Sequence, residues 1–180
     1  MAGKEEAPPE TLAPIRVDPR FRHEIMRFPG GETLKICFQC GTCTSSCPVA
    51  RFSESYRPRQ ILQMAQLGMR LKVLSSDTLW LCAACFTCTD RCPQGVEVAS
   101  VLRTLRNMAV KEGFVPAAYR ELASNVLGTG YAYKITRLQL RKREELKLPP
   151  LPEADLEALA KLTRDTGFSR LREKWGSSGA

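Results

Sequence analysis

A single histidine, His23, is all the imidazole that the 180 residues contain. This argues against His-rich zinc sites, facial-triad iron sites and catalysis built on imidazole. There is no G-x-G-x-x-G dinucleotide fingerprint, and the short GTGYAYK stretch does not replace one. No apolar run approaches the roughly 18 residues that suggest a transmembrane helix. The first residues, MAGKEEAPPE, lack the basic-then-apolar pattern of a secretory signal. A cytoplasmic protein with reduced thiols and no direct membrane insertion is therefore expected. The cysteine region also lacks the apolar–polar alternation of strands, so a helical domain is expected there.

Basic residues are not scarce: 27 Lys+Arg against 19 Asp+Glu give a formal charge of +8. Such an excess fits an acidic partner, whether nucleic acid, membrane surface or protein. The cysteines say more. All eight lie between Cys37 and Cys92, in the runs CFQCGTCTSSCP and CAACFTCTDRCP. Cys37, Cys40, Cys43 and Cys47 recur at one fixed offset as Cys82, Cys85, Cys88 and Cys92. Thr42, Thr44 and Pro48 recur as Thr87, Thr89 and Pro93.

The pattern C-x2-C-x2-C-x3-C-P is that of bacterial ferredoxins. Three thiolates on one short loop can reach three irons of a [4Fe–4S] cubane. The proline then turns the chain away, and the fourth cysteine serves the other cluster. Two clusters follow: one on Cys37, Cys40, Cys43 and Cys92, the other on Cys82, Cys85, Cys88 and Cys47. The crossing makes the clusters structural as well as redox groups. Disulfides are disfavoured by a reducing compartment and by the close spacing. Structural zinc accepts four thiolates, but zinc modules pair C-x2-C units and need neither the third cysteine nor the proline. With four protein thiolates, each cluster has no open site for substrate and can only hold or pass an electron. Thr42, Thr44, Thr87 and Thr89 are candidates to tune the clusters by hydroxyl hydrogen bonds or simply to fit the tight loops. Phe38, Trp80 and Phe86 are candidates to exclude water or to pack the core.

Around the cysteines the chain falls into three parts. Residues 1–30, rich in proline, read as an extended or disordered arm, or as a strap that buries Ile15, Val17, Phe21, Ile25, Met26 and Phe28 on a partner. Residues 31–115 form the two-cluster domain. In it RPRQILQMAQLGM predicts a helix with Pro58 in its first turn, Ile61, Leu62, Ala65 and Met69 near one face, and Gly68 as its end. Ser75 or Ser76 caps a short helix leading into Cys82. Val98, Val101, Leu102, Leu105, Met108 and Ala109 predict a longer helix stopped by Gly113, with Arg103, Arg106 and Lys111 on its polar face. Residues 116–180 read as a helical extension. One helix carries Tyr119, Leu122, Ala123 and Val126 and ends at Gly128, and another carries Leu156, Leu159 and Ala160 and ends at Gly167. Phe168, Leu171 and Trp175 either anchor a partner or fold back. The basic stretch with Arg137, Arg141, Lys142, Arg143 and Lys147 reads as a solvated helix face or a docking face for an acidic protein. No recognition motif for nucleic acid accompanies it.

The stretch from Ile36 to Phe114 resembles the C subunit of heterodisulfide reductase. The resemblance is carried by CFQCGTCTSSCPVA, YRPRQILQMAQLGM, SSDTLWLCAACFTCTDRCPQGVEV and LRNMAVKEGF. It implies a mainly α fold, an α-helical ferredoxin-like domain related to that of succinate dehydrogenase iron–sulfur subunits. It implies a non-catalytic member of a larger hetero-oligomer, carrying electrons from a flavin-containing A-type subunit to a disulfide-reducing B-type subunit. In the family this serves electron bifurcation. The B-type subunit uses additional cysteines, including an adjacent pair. This chain has no Cys-Cys and no spare cysteine, so catalysis is expected on another chain. The alternatives are the iron–sulfur subunit of a glycolate/lactate or succinate/fumarate-type flavin dehydrogenase and, more distantly, a zinc nucleic-acid module. Eight thiolates and two cluster cores would bring the formal charge to roughly +4, a basic periphery around anionic centres.

Overall fold

The computed structural model describes residues 16–175 and shows no strand among them, the all-helical fold that the missing alternation predicts. The α-helices, in chain order, are α1 (Phe21–Ile25), α2 (Thr42–Ser45), α3 (Pro58–Gln66), α4 (Arg70–Leu74), α5 (Thr87–Asp90), α6 (Val98–Glu112), α7 (Ala117–Thr129), α8 (Arg137–Glu145), α9 (Leu156–Asp165) and α10 (Phe168–Lys174). Short 3-10 helices lie at Glu32–Ile36, Val49–Arg51 and Asp77–Leu81. No helix among the described residues is long and apolar enough to cross a membrane. The described residues fall into two compact units. One lies within Met1–Val73 and Phe86–Val101, the other within Leu74–Cys85 and Leu102–Ala180.

In the first unit, α3 starts where sequence predicts. Pro58 takes the first helical position, where its missing N–H costs nothing, and Ile61, Leu62 and Ala65 are buried. Fully burying Ile61 or Leu62 contributes about 1.5–3 kcal/mol each. Both α1 and the 3-10 helix Glu32–Ile36 pack on α3. The helix α1 departs from the expected extended arm. Phe21 and Ile25 lie one turn apart and are fully buried, so a turn of helix forms where the prolines suggest none. Its neighbour Asp18 donates its backbone N–H to the Gly68 carbonyl at 2.7 Å. Gly68 sits at φ 75, and a Cβ there would lie 2.3 Å from the Asp18 carbonyl oxygen, so only glycine fits this junction. Ile15, part of the expected strap, lies outside the described residues.

In the second unit, Leu102, Leu105, Met108 and Ala109 of α6 are buried, and the helix stops before Gly113 at φ 89, as the periodicity predicts. The helix α7 runs past Gly128 to Thr129, because Gly130, at φ 74, takes the left-handed cap. Trp175 is buried against Val115 and Ala123, and Phe168 meets it edge-on with ring centroids 5.7 Å apart. Trp175 is thus committed within the chain. By contrast α8 buries nothing and presents Arg137, Arg141 and Lys142 to solvent. It is opened by a capping box in which Thr136 accepts from the Gln139 N–H and the Gln139 side chain accepts from the Thr136 N–H.

Candidate metal centre

The repeat extends beyond the cysteines. The 3-10 helix Glu32–Ile36 delivers Cys37, and Asp77–Leu81, at the same offset, delivers Cys82. Leu34 and Leu79, equivalent positions, are each 1% exposed and anchor the two approaches. Within the first loop, Gln39 (φ 65) and Gly41 (φ 90) are left-handed. Within the second, the equivalent Ala84 (φ 51) and Phe86 (φ 60) are left-handed too. A left-handed residue costs an L-amino acid roughly 1–2 kcal/mol, and of the four only Gly41 escapes that cost. The helices α2 and α5 follow at once, carry the buried Cys43 and Cys88, and pack on each other in the first unit.

Each loop ends by holding the helix that follows it. Thr44 Oγ1 accepts from the Arg59 backbone N–H at 2.9 Å, and Thr89 Oγ1 accepts from the Ala99 N–H at 3.1 Å. Arg59 and Ala99 are the second residues of α3 and α6, whose first-turn N–H groups have no partner within the helix. Arg57, which precedes α3, supplies no side-chain cap, so the threonine of the loop does so from a distance. The threonine hydroxyls serve both helices and sulfurs. Thr44 and Thr89 cap helices, while Thr42 Oγ1 lies 3.3 Å from Cys40 Sγ.

The approach to each loop is clamped by one side chain. The Gln66 carboxamide nitrogen donates to the carbonyls of Leu34 and Cys37, both at 3.0 Å. Arg106 donates through Nε to the Leu79 carbonyl at 3.0 Å and through Nη2 to the Cys82 carbonyl at 2.7 Å. These are equivalent carbonyls in the repeat. Because both Gln66 protons go to carbonyls, its oxygen must accept, and it does so from Gln39 Nε2 at 2.8 Å. The second proton on Gln39 Nε2 is then directed to Cys37 Sγ, 3.5 Å away. The Gln39 oxygen is left buried with no hydrogen-bond partner among the described residues.

The first unit contains a small cavity whose lining includes Cys37, Cys40, Cys43 and Cys92. These are the four residues expected to share one cluster. Leu62, Val96 and Val98 supply apolar wall, while Phe38, Gln39 and Arg59 complete one side. Phe38 is 59% exposed, which excludes a core-packing role and places it at the rim. The Val96 backbone N–H donates to Cys92 Sγ at 3.3 Å, and in the second unit the Ala84 N–H donates to Cys82 Sγ at 3.4 Å. Of the other expected ligands, Cys47 and Cys88 are buried in the first unit, and Cys82 and Cys85 belong to the second.

The electrostatics of the cavity call for a cation. The hydroxyl of Thr42 hydrogen-bonds the Cys40 sulfur and lowers its pKa. Burial raises the pKa of Cys43. The Thr44 hydroxyl works against that rise, and the neighbouring charges of Cys37 and Cys40 add to it. Like charges on neighbouring sulfurs oppose one another until a positively charged core binds them. The donor set is four soft sulfurs without carboxylate or imidazole, which suits iron–sulfur chemistry. Among the described residues, no three Cys, His, Asp or Glu side chains are arranged to hold a single metal ion; four of the thiols line the cavity.

Sequence reasoning missed Gln39, Gln66 and Arg106, and placed Arg106 on a polar face. The available signal was the extra pairing of Thr33–Leu34 with Thr78–Leu79 ahead of each first cysteine, which marks the approaches as part of the repeat.

Comparison with known proteins agrees with this chemistry. A family model described as a 4Fe-4S dicluster domain matches residues 33–96. The chain is 40% identical over 162 residues to the C subunit of the H(2):CoB-CoM heterodisulfide,ferredoxin reductase of Methanothermobacter thermautotrophicus, covering 86% of each chain. It is 36% identical over 161 residues to the iron-sulfur C subunit of the CoB--CoM heterodisulfide reductase of Methanopyrus kandleri, covering 86% of this chain and 81% of that one. It is 38% identical over 154 residues to the C subunit of the Ferredoxin:CoB-CoM heterodisulfide reductase of Methanosarcina mazei, covering 82% and 94%. The cofactors are two [4Fe–4S] clusters.

Proposed function

The chain belongs to the family of heterodisulfide reductase C subunits, and on that premise we propose that it relays electrons between a flavin-containing A-type subunit and a disulfide-reducing B-type subunit. As an iron–sulfur subunit it is an electron-transfer protein. The partners, and a role in electron bifurcation, are the part proposed. The observation that carries the reading is the placing of Cys92 from the second run in one cavity with Cys37, Cys40 and Cys43 from the first.

On this reading Cys37, Cys40, Cys43 and Cys92 hold one cluster, and Cys82, Cys85, Cys88 and Cys47 hold the other. Each cluster supplies reversible one-electron storage when bound. The chain's own residues shield, orient and bias the sulfurs. Leu62, Val96 and Val98 limit water, and the N–H groups of Val96, Ala84 and Gln39 are directed at sulfur. Every cysteine has a ligand role, so no thiol is left to reduce a disulfide here. Catalysis then belongs to the partner.

The exposed basic helix α8, with Leu138 at 73% exposure, supports residues 116–180 as the partner-facing segment of a hetero-oligomer. Cluster-bound thiolates favour a reducing compartment, which supports a cytoplasmic location. The test is anaerobic purification from the native source, with iron and sulfide analysis and identification of co-purifying chains. Flavin-containing and cysteine-rich subunits are expected alongside. A stable chain that isolates alone and is active by itself would overturn the proposal.

A further inference from the structure

The repeat has a member that motif spacing does not reveal. The two carbonyls that precede and include the first cysteine are Leu34 and Cys37 in one loop, Leu79 and Cys82 in the other. Each pair is gathered by a single side chain from the helix that follows its loop, Gln66 from α3 and Arg106 from α6. Both side chains are half-buried. Each reaches far along the sequence, by 29 residues from Gln66 to Cys37 and by 24 from Arg106 to Cys82. Neither is a ligand. They perform the same hydrogen bonding with different charge.

We propose that Gln66 and Arg106 are the positioning residues of the two clusters, and that the exchange of a neutral amide for a guanidinium sets the two reduction potentials apart. The inference rests on the two-cluster reading above. The clamp fixes the peptide of the first cysteine, and so the direction of its sulfur. The guanidinium adds a fixed positive charge beside the Cys82 carbonyl. Reduction adds negative charge to a cluster, so a nearby cation favours the reduced form and raises the potential. Arg106 is held in place for this: besides its two carbonyls, its guanidinium lies 5.8 Å from the centre of the Trp80 ring. Trp80 is backed in turn by Tyr119, with ring centroids 4.7 Å apart.

The test is a redox titration followed by electron paramagnetic resonance on the intact complex. The Cys85→Ser protein, which should retain only the cluster of the Cys37 loop, identifies the two signals. Arg106→Gln replaces the guanidinium by the amide its twin uses. It is expected to make the Cys82-loop cluster about tenfold harder to reduce, a shift of about 59 mV for one electron, and to leave the other cluster unchanged. Arg106→Lys keeps the charge and is expected to keep the potential. Gln66→Ala frees the Cys37 loop and is expected to speed loss of iron to a chelator about tenfold from that cluster alone.

Unchanged potentials in Arg106→Gln, or a shift of the Cys37-loop cluster instead, would overturn the proposal. Should Arg106→Gln fail to load, a loss confined to the Cys82-loop cluster supports the clamp, and a loss of both clusters counts against it. Iron and sulfide content of the unsubstituted complex tests the two-cluster reading separately.

Discussion

The two cysteine loops share their ligands and their backbone but differ in several of the side chains around them. Left-handed torsions fall at equivalent positions in both, yet Gly41 and Gln39 in the first are Phe86 and Ala84 in the second. Both threonine caps are kept, but one holds a nine-residue helix and the other a fifteen-residue helix. The carbonyl clamp is kept, but a carboxamide does the work in one loop and a guanidinium in the other. The repeat is therefore one of roles: torsion, cap and clamp recur, and the residue type is free wherever another side chain can make the same contact. Where a role admits one chemistry only, as with thiolate ligation, the residue itself recurs.

The comparison can be broken most forcefully at the fourth cysteines. Cys47→Ser should remove the cluster held by Cys82, Cys85 and Cys88, while Cys92→Ser should remove the one held by Cys37, Cys40 and Cys43. Iron should fall from about eight to about four atoms per chain in each. Loss confined to the Cys37-loop cluster in Cys47→Ser, or to the Cys82-loop cluster in Cys92→Ser, would end the crossed assignment.

Torsion comes next. Gly41→Ala should lower the stability of the holo-protein by about 1–2 kcal/mol, because it places a Cβ in left-handed backbone. Phe86→Gly relieves that strain but gives the unfolded chain more freedom, so thermal unfolding should show a change within about 1 kcal/mol. Equal losses in the two variants would show that the loops do not share their torsional logic.

Thr44→Val and Thr89→Val should each cost about 1 kcal/mol, the ordinary worth of a helix cap, measured by denaturant unfolding under anaerobic conditions. A negligible cost in both would mean that the caps are incidental. The smallest effect is expected for Gln39→Ala, which gives the first loop the alanine of the second. It removes the N–H directed at Cys37 Sγ and the donor to the Gln66 oxygen, but also the buried, unpartnered oxygen, so the opposing effects should leave stability within about 1 kcal/mol. The Cys37-loop cluster should become slightly harder to reduce, by less than the Arg106→Gln effect on its twin.

The cysteine spacing was enough to read the cluster type, and apolar periodicity was enough to read α3, α6 and α9 to within a residue or three. These are local signals, in which neighbours in sequence are neighbours on one face. The short helix α1 was not legible, because its stability comes from Phe21 and Ile25 packing against residues far along the chain. The clamps were hidden for the same reason. Nothing near Gln66 or Arg106 announces that their partners are carbonyls more than twenty residues away. The threonines are legible only in part. A hydroxyl beside a cysteine suggests sulfur chemistry, and the helix N–H groups that Thr44 and Thr89 accept from come into view only in the fold.

The left-handed residue before each short helix has one more consequence. Gly41 is followed by right-handed Thr42, and Phe86 by right-handed Thr87. Paired left- and right-handed residues turn consecutive peptide N–H groups to one side, a nest of partial positive charge suited to an anion. A nest belongs to the peptide bonds, so substitution of the side chains above it leaves its field in place. Each socket thus has a constant electrostatic floor set by torsion and an adjustable ceiling set by side chains. Two copies of one loop can then drift apart in potential without either losing its hold on its cluster.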